Sequence, residues 1–543
     1  MGTTAEKLQA ILNSKEAIRL AIVDKGVSVP EETILSQYPT KISEISAGAA
    51  PEWTAPADWI QLEEPADNEI LLLVGDEGVG DTAFTITCVG GYTVNWGDGV
   101  TESFASGVKA EHVYPFESGQ LCNRGYSTFK IRIYAQVPAN PITRYIANYI
   151  SPYRNSASVL WIKFGTTGLT TLENAFNLSY AKPLSLESVS LPNELPNCTN
   201  YNSTFSGCKS LKQVIMPSVY SSSLVSMNYT FLDCSLLPSI DFNTASANIS
   251  SAIQLFQGCT SLRDIIFPTA INGLTTIERA FTTTTSLKNL KLPIINTDIA
   301  CIWMFNGSAV ETIEFDSSWN NRIFSSGSMF YNTTNIRRLI NFPLSFKSYA
   351  GGMFSGLRHI TEFRFPDVIE PYTYSLGSVL LNCNNLINLD NFPPFPNVTD
   401  VNYTFRDCVM LKSISNLDQL GDTTTNMDLS FTYQGCRSLE EIVCRNKVTT
   451  FFVLNGTAAV PAKLRSLLFT NPNPVSTWAG HSTAVSIQYC NMDATALNAM
   501  FTSIVATSAP GALSGKTISI FGNPGAATCD TTIITNEGGA VAI

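Results

Sequence analysis

Charge is scarce in this sequence: Asp, Glu, Lys and Arg together make up 14% of its 543 residues, and there are only three histidines. Positive charge is the scarcer sign, with 33 Lys and Arg against 44 Asp and Glu, for a formal net charge of -11. With no basic run to override it, that balance repels phosphate backbones and anionic bilayers, so neither nucleic acid nor a membrane is expected as a partner. Long apolar runs are missing too. Stretches such as Ile70–Val74 fall far short of the roughly 20 residues that span a bilayer. Met1–Ser28 alternates charged and apolar residues where a secretory signal would place a basic segment, an apolar core and a small-residue cleavage site, so a soluble protein without such a signal is expected. Low charge does not mean disorder here, because 44% of the residues are hydrophobic.

The residue groupings that carry catalysis are equally thin. There is no Gly-x-Ser-x-Gly, no His-Glu-x-x-His and no Walker motif, and His112, His359 and His481 lie in separate stretches. The turn at Gly522-Asn-Pro-Gly525 lacks both the Lys-Ser/Thr and the glycine spacing of a phosphate loop. Acid–base or nucleophilic chemistry needs titratable groups gathered in one pocket, so no enzyme is expected, and no cofactor. The 13 cysteines are odd in number and contain no Cys-x-x-Cys pair. Reduced, buried thiols are the expectation, rather than disulfides or a metal site.

What is present is periodicity. Phe205, Phe231, Phe256, Phe281, Phe305, Phe330, Phe354, Leu380 and Phe405 follow one another at spacings of 26, 25, 25, 24, 25, 24, 26 and 25 residues. Within a unit, a small residue or Cys stands three after the aromatic and an aliphatic six after it, as in Phe205-Ser-Gly-Cys208-Lys-Ser-Leu211. An alternating strand ended by proline follows, as in Leu211-Lys-Gln-Val-Ile-Met-Pro217. The Cys positions 208, 234, 259, 383, 408 and 436 repeat once per unit, so they would stack in a row, whereas zinc needs four converging ligands. One such unit cannot bury its own apolar residues, but stacked units share a continuous core, which predicts a solenoid. The phenylalanine, the Cys-x-x-Leu and the strand-ending proline resemble the BspA-like branch of the leucine-rich repeats over about residues 150–450.

The flanks differ. Residues 5–25 carry Leu8, Ile11, Leu12, Ile18 and Ile22 at a helical period, with Gly26 as a stop. A lone amphipathic helix is not stable, so this one packs on another copy or on another protein. The stretch from Asn13 to Val27, running on to Tyr38-Pro39 and Lys41-Ile42, resembles the N-terminal attachment segment of bacteriophage tail-fibre and related virion proteins; an ordinary capping or dimerising helix is the alternative. After a linker at 46–51, the stretches Ile70–Val74, Phe84–Val89, Tyr92–Trp96 and Phe129–Tyr134 read as sandwich strands. Trp96-Gly-Asp98-Gly99 with His112-Val-Tyr114 is similar to the polycystic-kidney-disease (PKD) type of immunoglobulin-like domain, with Asp98 read as a turn residue and His112 as a packed, hydrogen-bonded one. Towards the C-terminus, Val485–Tyr489 and Thr517–Phe521 read as strands and Thr495–Val505 as a helix.

The expected fold is therefore mainly β with irregular and short helical segments: a helical attachment or oligomerisation segment (1–45), a linker (46–51), a PKD/Ig-like β-sandwich (52–140), a BspA-like solenoid (141–450) and C-terminal strand-helix repeats with a cap (451–543). The resemblances imply a structural and adhesive component of a bacteriophage virion, a tail fibre or head fibre assembled in the host cytoplasm. On that reading the N-terminus contacts other virion proteins, the sandwich is a spacer, and the chain is a homo-oligomer such as a trimer. The solenoid would then bind a host cell-surface protein or glycan. A bacterial cell-surface adhesin is the alternative from another class. Strand alternation aims the residues between the buried aliphatics at solvent on a concave sheet, which selects Gln213, Asp241, Asp264, Asn289, Lys291, Glu314, Arg338, Glu362, Arg364, Asn388 and Asp390 as the candidate ligand-binding row. Glu314 and Glu362, two repeats apart, are the pair that a glycan-cleaving tailspike would use, with strands about 4.8 Å apart.

Overall fold

An apolar run without alternation needs cover on both faces, and Glu69–Asp76 (β1, EILLLVGD) has it, being buried along its whole length. Ile70, Leu72 and Val74 face the main core, while Leu71 and Leu73 face a second core made with Trp59, Leu62, Cys122, Leu160 and Trp161. The further strands here are Asp81–Thr87 (β2), Tyr92–Asn95 (β3), Thr101–Phe104 (β4), Lys109–Val113 (β5), Gln120–Leu121 (β6), Ser127–Ala135 (β7), Arg144–Ala147 (β8), Ser158–Phe164 (β9) and Ser188–Ser190 (β10). One sheet has β5-β2-β8; the other runs β10-β9-β1-β7-β3-β4, with β6 on β7 and Gln213–Ile215 beyond β10. The structure, a computed structural model, describes Lys15 and residues 53–543 apart from 77–80, 116–118, 148–157, 177–185, 245, 321, 323, 326, 344, 347–350, 362–367, 370–374, 390–397, 416–422, 425, 430, 446, 453–460 and 472–481. The helix positions Leu8, Ile11, Leu12, Ile18 and Ile22, and the site residues Glu362, Arg364 and Asp390, lie outside the described residues.

Two features depart from the division drawn on the sequence. The strand β8 pairs with β2, Phe84 opposite Ala147 and Thr87 opposite Arg144, so the two-sheet region runs past residue 140. The prolines at 138 and 141 interrupt the chain before its last strand, not after it. Nor is there a seam between sandwich and solenoid. On one edge β9 pairs antiparallel with β1, from Ile70 opposite Phe164 to Gly75 opposite Ser158. On its other edge it pairs parallel with β10, Val189 opposite Ile162. A single strand thus converts the antiparallel sheet into the parallel stacking of the coils, and one apolar core runs from Ile70 to Ile534.

In the coils the phenylalanines form a continuous ladder. From Phe176 through Phe205, Phe231, Phe256, Phe281, Phe305 and Phe330 to Phe354, successive centroids are 5.2–5.9 Å apart and the rings are within 7–21° of parallel. All are buried. The ladder reaches one coil earlier than the even spacing marks, at Phe176, and Tyr433 extends it beyond Phe405 at 5.7 Å.

The turn carrying each ring alternates right- and left-handed backbone. The residue two before each ring, from Asn174 through Tyr229, Arg279, Trp303 and Gly352 to Tyr403, has φ between 51 and 65°. So does a residue two after it in most coils, such as Asp233 at 58°. The consequence is that alternate N–H groups all point towards the next coil: Tyr229, Phe231 and Asp233 donate to the carbonyls of Ile253, Leu255 and Gln257 at 2.8, 3.0 and 2.8 Å. A buried turn so close to the core would otherwise strand these donors.

Cysteine completes the same logic. The Sγ–H groups of Cys208, Cys234, Cys259, Cys383, Cys408 and Cys436 each donate to the carbonyl of the ladder residue one coil back, at 2.9–3.4 Å. Burial pushes the thiols of Cys208, Cys234, Cys259, Cys408 and Cys436 up, Cys234 and Cys408 well above the ordinary value. They act as small core residues with one weak donor.

Beyond residue 425 the coils change. Asn426–Asp428, Lys447–Phe452, Thr483–Ser486, Thr517–Ser519 and Ala540–Ala542 form a parallel sheet in sequence order. Here a helix, Ala494–Ala506 (α1), flanks the strands. The Asp493 carboxylate caps it by accepting from Ala496 N at 2.8 Å, and Leu497, Met500, Phe501 and Ile504 form its buried stripe. The last helix is a single turn, Thr532–Thr535 (α2).

Candidate functional site

Among the described residues, several of the strands that follow the ladder turns have the alternation their sequence requires. Val214, Ile240, Leu290 and Ile313 are buried, whereas Ile215, Asp241, Ile266, Asn289, Lys291, Arg338 and Asn388 are exposed, with Gln213, Asp264 and Glu314 half-buried. Parallel pairing puts like positions side by side: Asn289 beside Thr312 beside Arg338, and Lys291 beside Glu314 beside Ile340. Lys291 Nζ lies 3.1 Å from the Glu314 carboxylate. One line back, Glu311 bridges Lys288 and Arg337 at 3.2 and 3.5 Å. Ser239 pairs with Asp264 and Asp241 with Ile266. Burial pushes the Asp264 carboxyl up despite Arg263 nearby.

Eight of the eleven row residues are thus on one face. They are not one continuous sheet: Gln213–Ile215 ends the first sheet, and Ser239–Asp241 begins a two-stranded one. At that break lies a depression of about 260 Å³ lined by Trp53, Gln213, Ile215, Ser239, Asp241 and Asn243. Amides, single charges and exposed isoleucines at strand spacing can hydrogen-bond and pack against a ligand laid across the coils. Glu314 is matched by a cation, and Glu362, its proposed partner in hydrolysis, lies outside the described residues. Among the described residues no group of three or more His, Cys, Asp or Glu converges to hold a metal ion.

Two further polar clusters are built into the sandwich. His112 Nε2 is 2.7 Å from Asp98 Oδ2, and its ring lies parallel to Trp96 at 4.8 Å. Asp98 Oδ1 accepts from Val100 N at 3.0 Å, closing the turn. Although burial alone would raise the Asp98 carboxyl, the Val100 amide and His112 outweigh it and hold it below the usual carboxylate range.

The second cluster lies at the junction with the coils. Glu187, one residue before β10, is buried and receives Arg124 Nη1 at 2.6 Å, Lys212 Nζ at 3.0 Å and Trp53 Nε1 at 3.1 Å. Burial would raise this carboxyl too, but the three donors together hold it low. Sequence reasoning missed Glu187, Arg124 and Trp53, which are 134 residues apart at the extremes. No local pattern joins them. Also missed were exposed aromatics on the turns, Trp303 and Tyr331; their signal was a large ring at or beside a position that demands left-handed backbone.

The model of the BspA type leucine rich repeat region matches residues 173–301 and 254–385, in 6 copies. The coils within residues 173–385 are therefore leucine-rich repeats of the BspA type. Among solved structures, the chain is similar to a leucine-rich repeat protein from Bacteroides ovatus, with 15% identity over 60% of this chain and 69% of that one and a TM-score of 0.28. It is also similar to the pneumococcal vaccine antigen PcpA, with 14% identity over 69% and 84% and a TM-score of 0.30. No curated protein matches the chain.

Proposed function

We propose that this chain is a non-enzymatic adhesive protein whose solenoid binds a protein or glycan on a cell surface. The observation that carries it is the row from Gln213 to Asn388: polar side chains held outward at fixed strand spacing, with their sequence neighbours locked in a shared core. A rigid comb of this kind binds without first ordering itself, which lowers the entropic cost of association. The mixture of amides, paired charges and lone isoleucines suits a polar, wet interface. The direct experiment is adsorption of the purified full chain to a panel of bacterial cells, wild type against Asn289→Ala, Lys291→Ala and Arg338→Ala combined. Loss of adsorption with an unchanged melting temperature supports this face; unchanged adsorption moves the contact to another side of the coils.

The finer reading places the protein on a bacteriophage particle as a tail or head fibre, attached through residues 1–45. It is favoured by the sequence at Asn13–Val27 and by the resemblance of the Trp96–Asp98 and His112–Tyr114 pattern to PKD-type domains. The same repeats also serve a bacterial surface adhesin. Mass spectrometry of purified particles separates the two: the chain present in virions supports the fibre, and the chain confined to the cell envelope supports the adhesin. Deleting residues 1–45 is expected to abolish incorporation, or oligomerisation, while leaving a folded protein.

A further inference from the structure

We propose that the solenoid carries a second binding site, a groove for a neutral oligosaccharide on the turn side of the coils, sharing no residue with the strand row. It rests on the adhesive reading above and gives it a ligand class. The groove encloses about 500 Å³ and spans the coils that follow Trp303. Its wall is Trp303, 39% exposed, with Tyr331, 42% exposed, beside it. Its floor is Ser328, Gly352 and Ser378, one from each of three successive coils, with Leu381 at the far end. At about 4.8 Å per coil, the distance from the Trp303 coil to the Leu381 coil is roughly 15 Å, room for a short run of sugar rings.

Three observations select the ligand. Trp303, Ser328, Gly352 and Ser378 occupy the same left-handed turn position in consecutive coils, at φ 53, 54, 65 and 60°. Small residues there leave the trough empty, while the tryptophan at the same position carries a large ring that stays partly in water. Second, Arg279 of the preceding coil lies 4.4 Å over the indole. The guanidinium belongs to the coil before Trp303 and the trough to the coils after it, so the ring that lines the groove is held in place from the opposite coil. A fixed aromatic face matches the C–H face of a pyranose, and the serine hydroxyls match its hydroxyls. Third, among the described residues no Asp, Glu, Lys, Arg or His lines the groove. With a chain charge of -11, an anionic ligand finds no counter-charge there.

The test applies the full chain to a printed array of neutral and acidic oligosaccharides, titrates the hits by calorimetry, and measures cell adsorption in parallel. Trp303→Ala removes the wall. Ser328→Tyr fills the trough with a residue that the turn accepts, since Tyr229 and Tyr403 stand at the same position with φ 58 and 60°. Neutral oligosaccharides are expected to bind, and both variants to lose about tenfold or more in affinity, with Ser328→Tyr melting as the wild type does. Should Trp303→Ala fail to fold, Ser328→Tyr decides alone. No binding of neutral oligosaccharides, retention of acidic ones only, or equal binding by wild type and Ser328→Tyr overturns the groove. Cell adsorption that persists in that event leaves the adhesive reading standing; neutral-glycan binding without any cell adsorption overturns that reading and keeps the groove.

Discussion

The central coils and the C-terminal coils have the same parallel-strand stacking but fill the space behind the strands differently. From Phe176 to Phe354 each ladder ring is stacked between the rings of the neighbouring coils, and phenylalanines of the strands, such as Phe242 and Phe267 beside Phe256, close its edges. Past residue 490 the space is filled by α1, whose buried stripe comes from a single helical segment with its own backbone hydrogen bonds and its own cap. Burial in the first region is borrowed from adjacent coils; in the second it is largely local. Cooperativity should follow: a defect in the ladder is felt in both neighbouring coils, whereas a defect in α1 stays near its site.

The strongest break in this comparison is Phe256→Ala. Its ring sits between Phe231 at 5.4 Å and Phe281 at 5.9 Å, so truncation leaves a cavity touching two other coils and is expected to cost about 3–5 kcal/mol in denaturant unfolding. Hydrogen exchange should rise in the coils of Phe231 and Phe281 as well; exchange confined to the mutated coil would refute the shared-burial account. Next comes Glu187→Gln at the junction, expected to cost about 1–3 kcal/mol through lost charged hydrogen bonds. Because the Glu187 carboxyl is held low in the folded state, its contribution is fully present above the ordinary carboxylate range and is lost as pH falls through the lowered folded value. The wild type should therefore lose its advantage over the variant in unfolding measured at successively lower pH; a constant difference would exclude this role.

A smaller effect sharpens the contrast at the other end. Asp493→Ala removes the cap of α1 and is expected to cost about 1 kcal/mol, with raised exchange limited to the first turn of the helix. Smallest is Lys291→Ala, which opens an ion pair whose side chains are 76% and 40% exposed and is expected to change the melting temperature negligibly. A large loss there would mean that the strand row has a packing role as well.

Much of the repeat was legible because its determinants are local. Phe, Cys and Leu recur at fixed offsets, and the strand alternation marks Val214, Ile240 and Ile313 as the buried positions they are, while Gln213, Ser239, Thr312 and Glu314, expected in solvent, are half-buried. Phe176 and Tyr433 escaped because they lie 29 and 28 residues from the nearest ladder member, outside the even register. The pairing of β9 with β1 escaped for a different reason. An apolar strand buried on both faces reads the same whether its neighbour is a sandwich strand or a coil. The Glu187 cluster depends on contacts between distant segments, and the groove beside Trp303 depends on what is absent from the next three coils.

The pairing of Ile70 with Phe164 also decides how the molecule would carry tension. A pull between residue 53 and a ligand held on the coils first loads the anchors upstream of β1: Trp53 on Glu187, Trp59 in the second core and Glu64 on Lys163. Once these yield it enters β1 at Glu69 and leaves β9 at Phe164, and these two points face each other. The force therefore passes across the first pair of an antiparallel ladder and loads its bonds one after another, as in unzipping. The strands β2 to β8 lie beside that path and contribute no length to it. The sandwich is in this sense a parallel attachment, not a serial spacer, and becomes a tether only after β1 has peeled from β9.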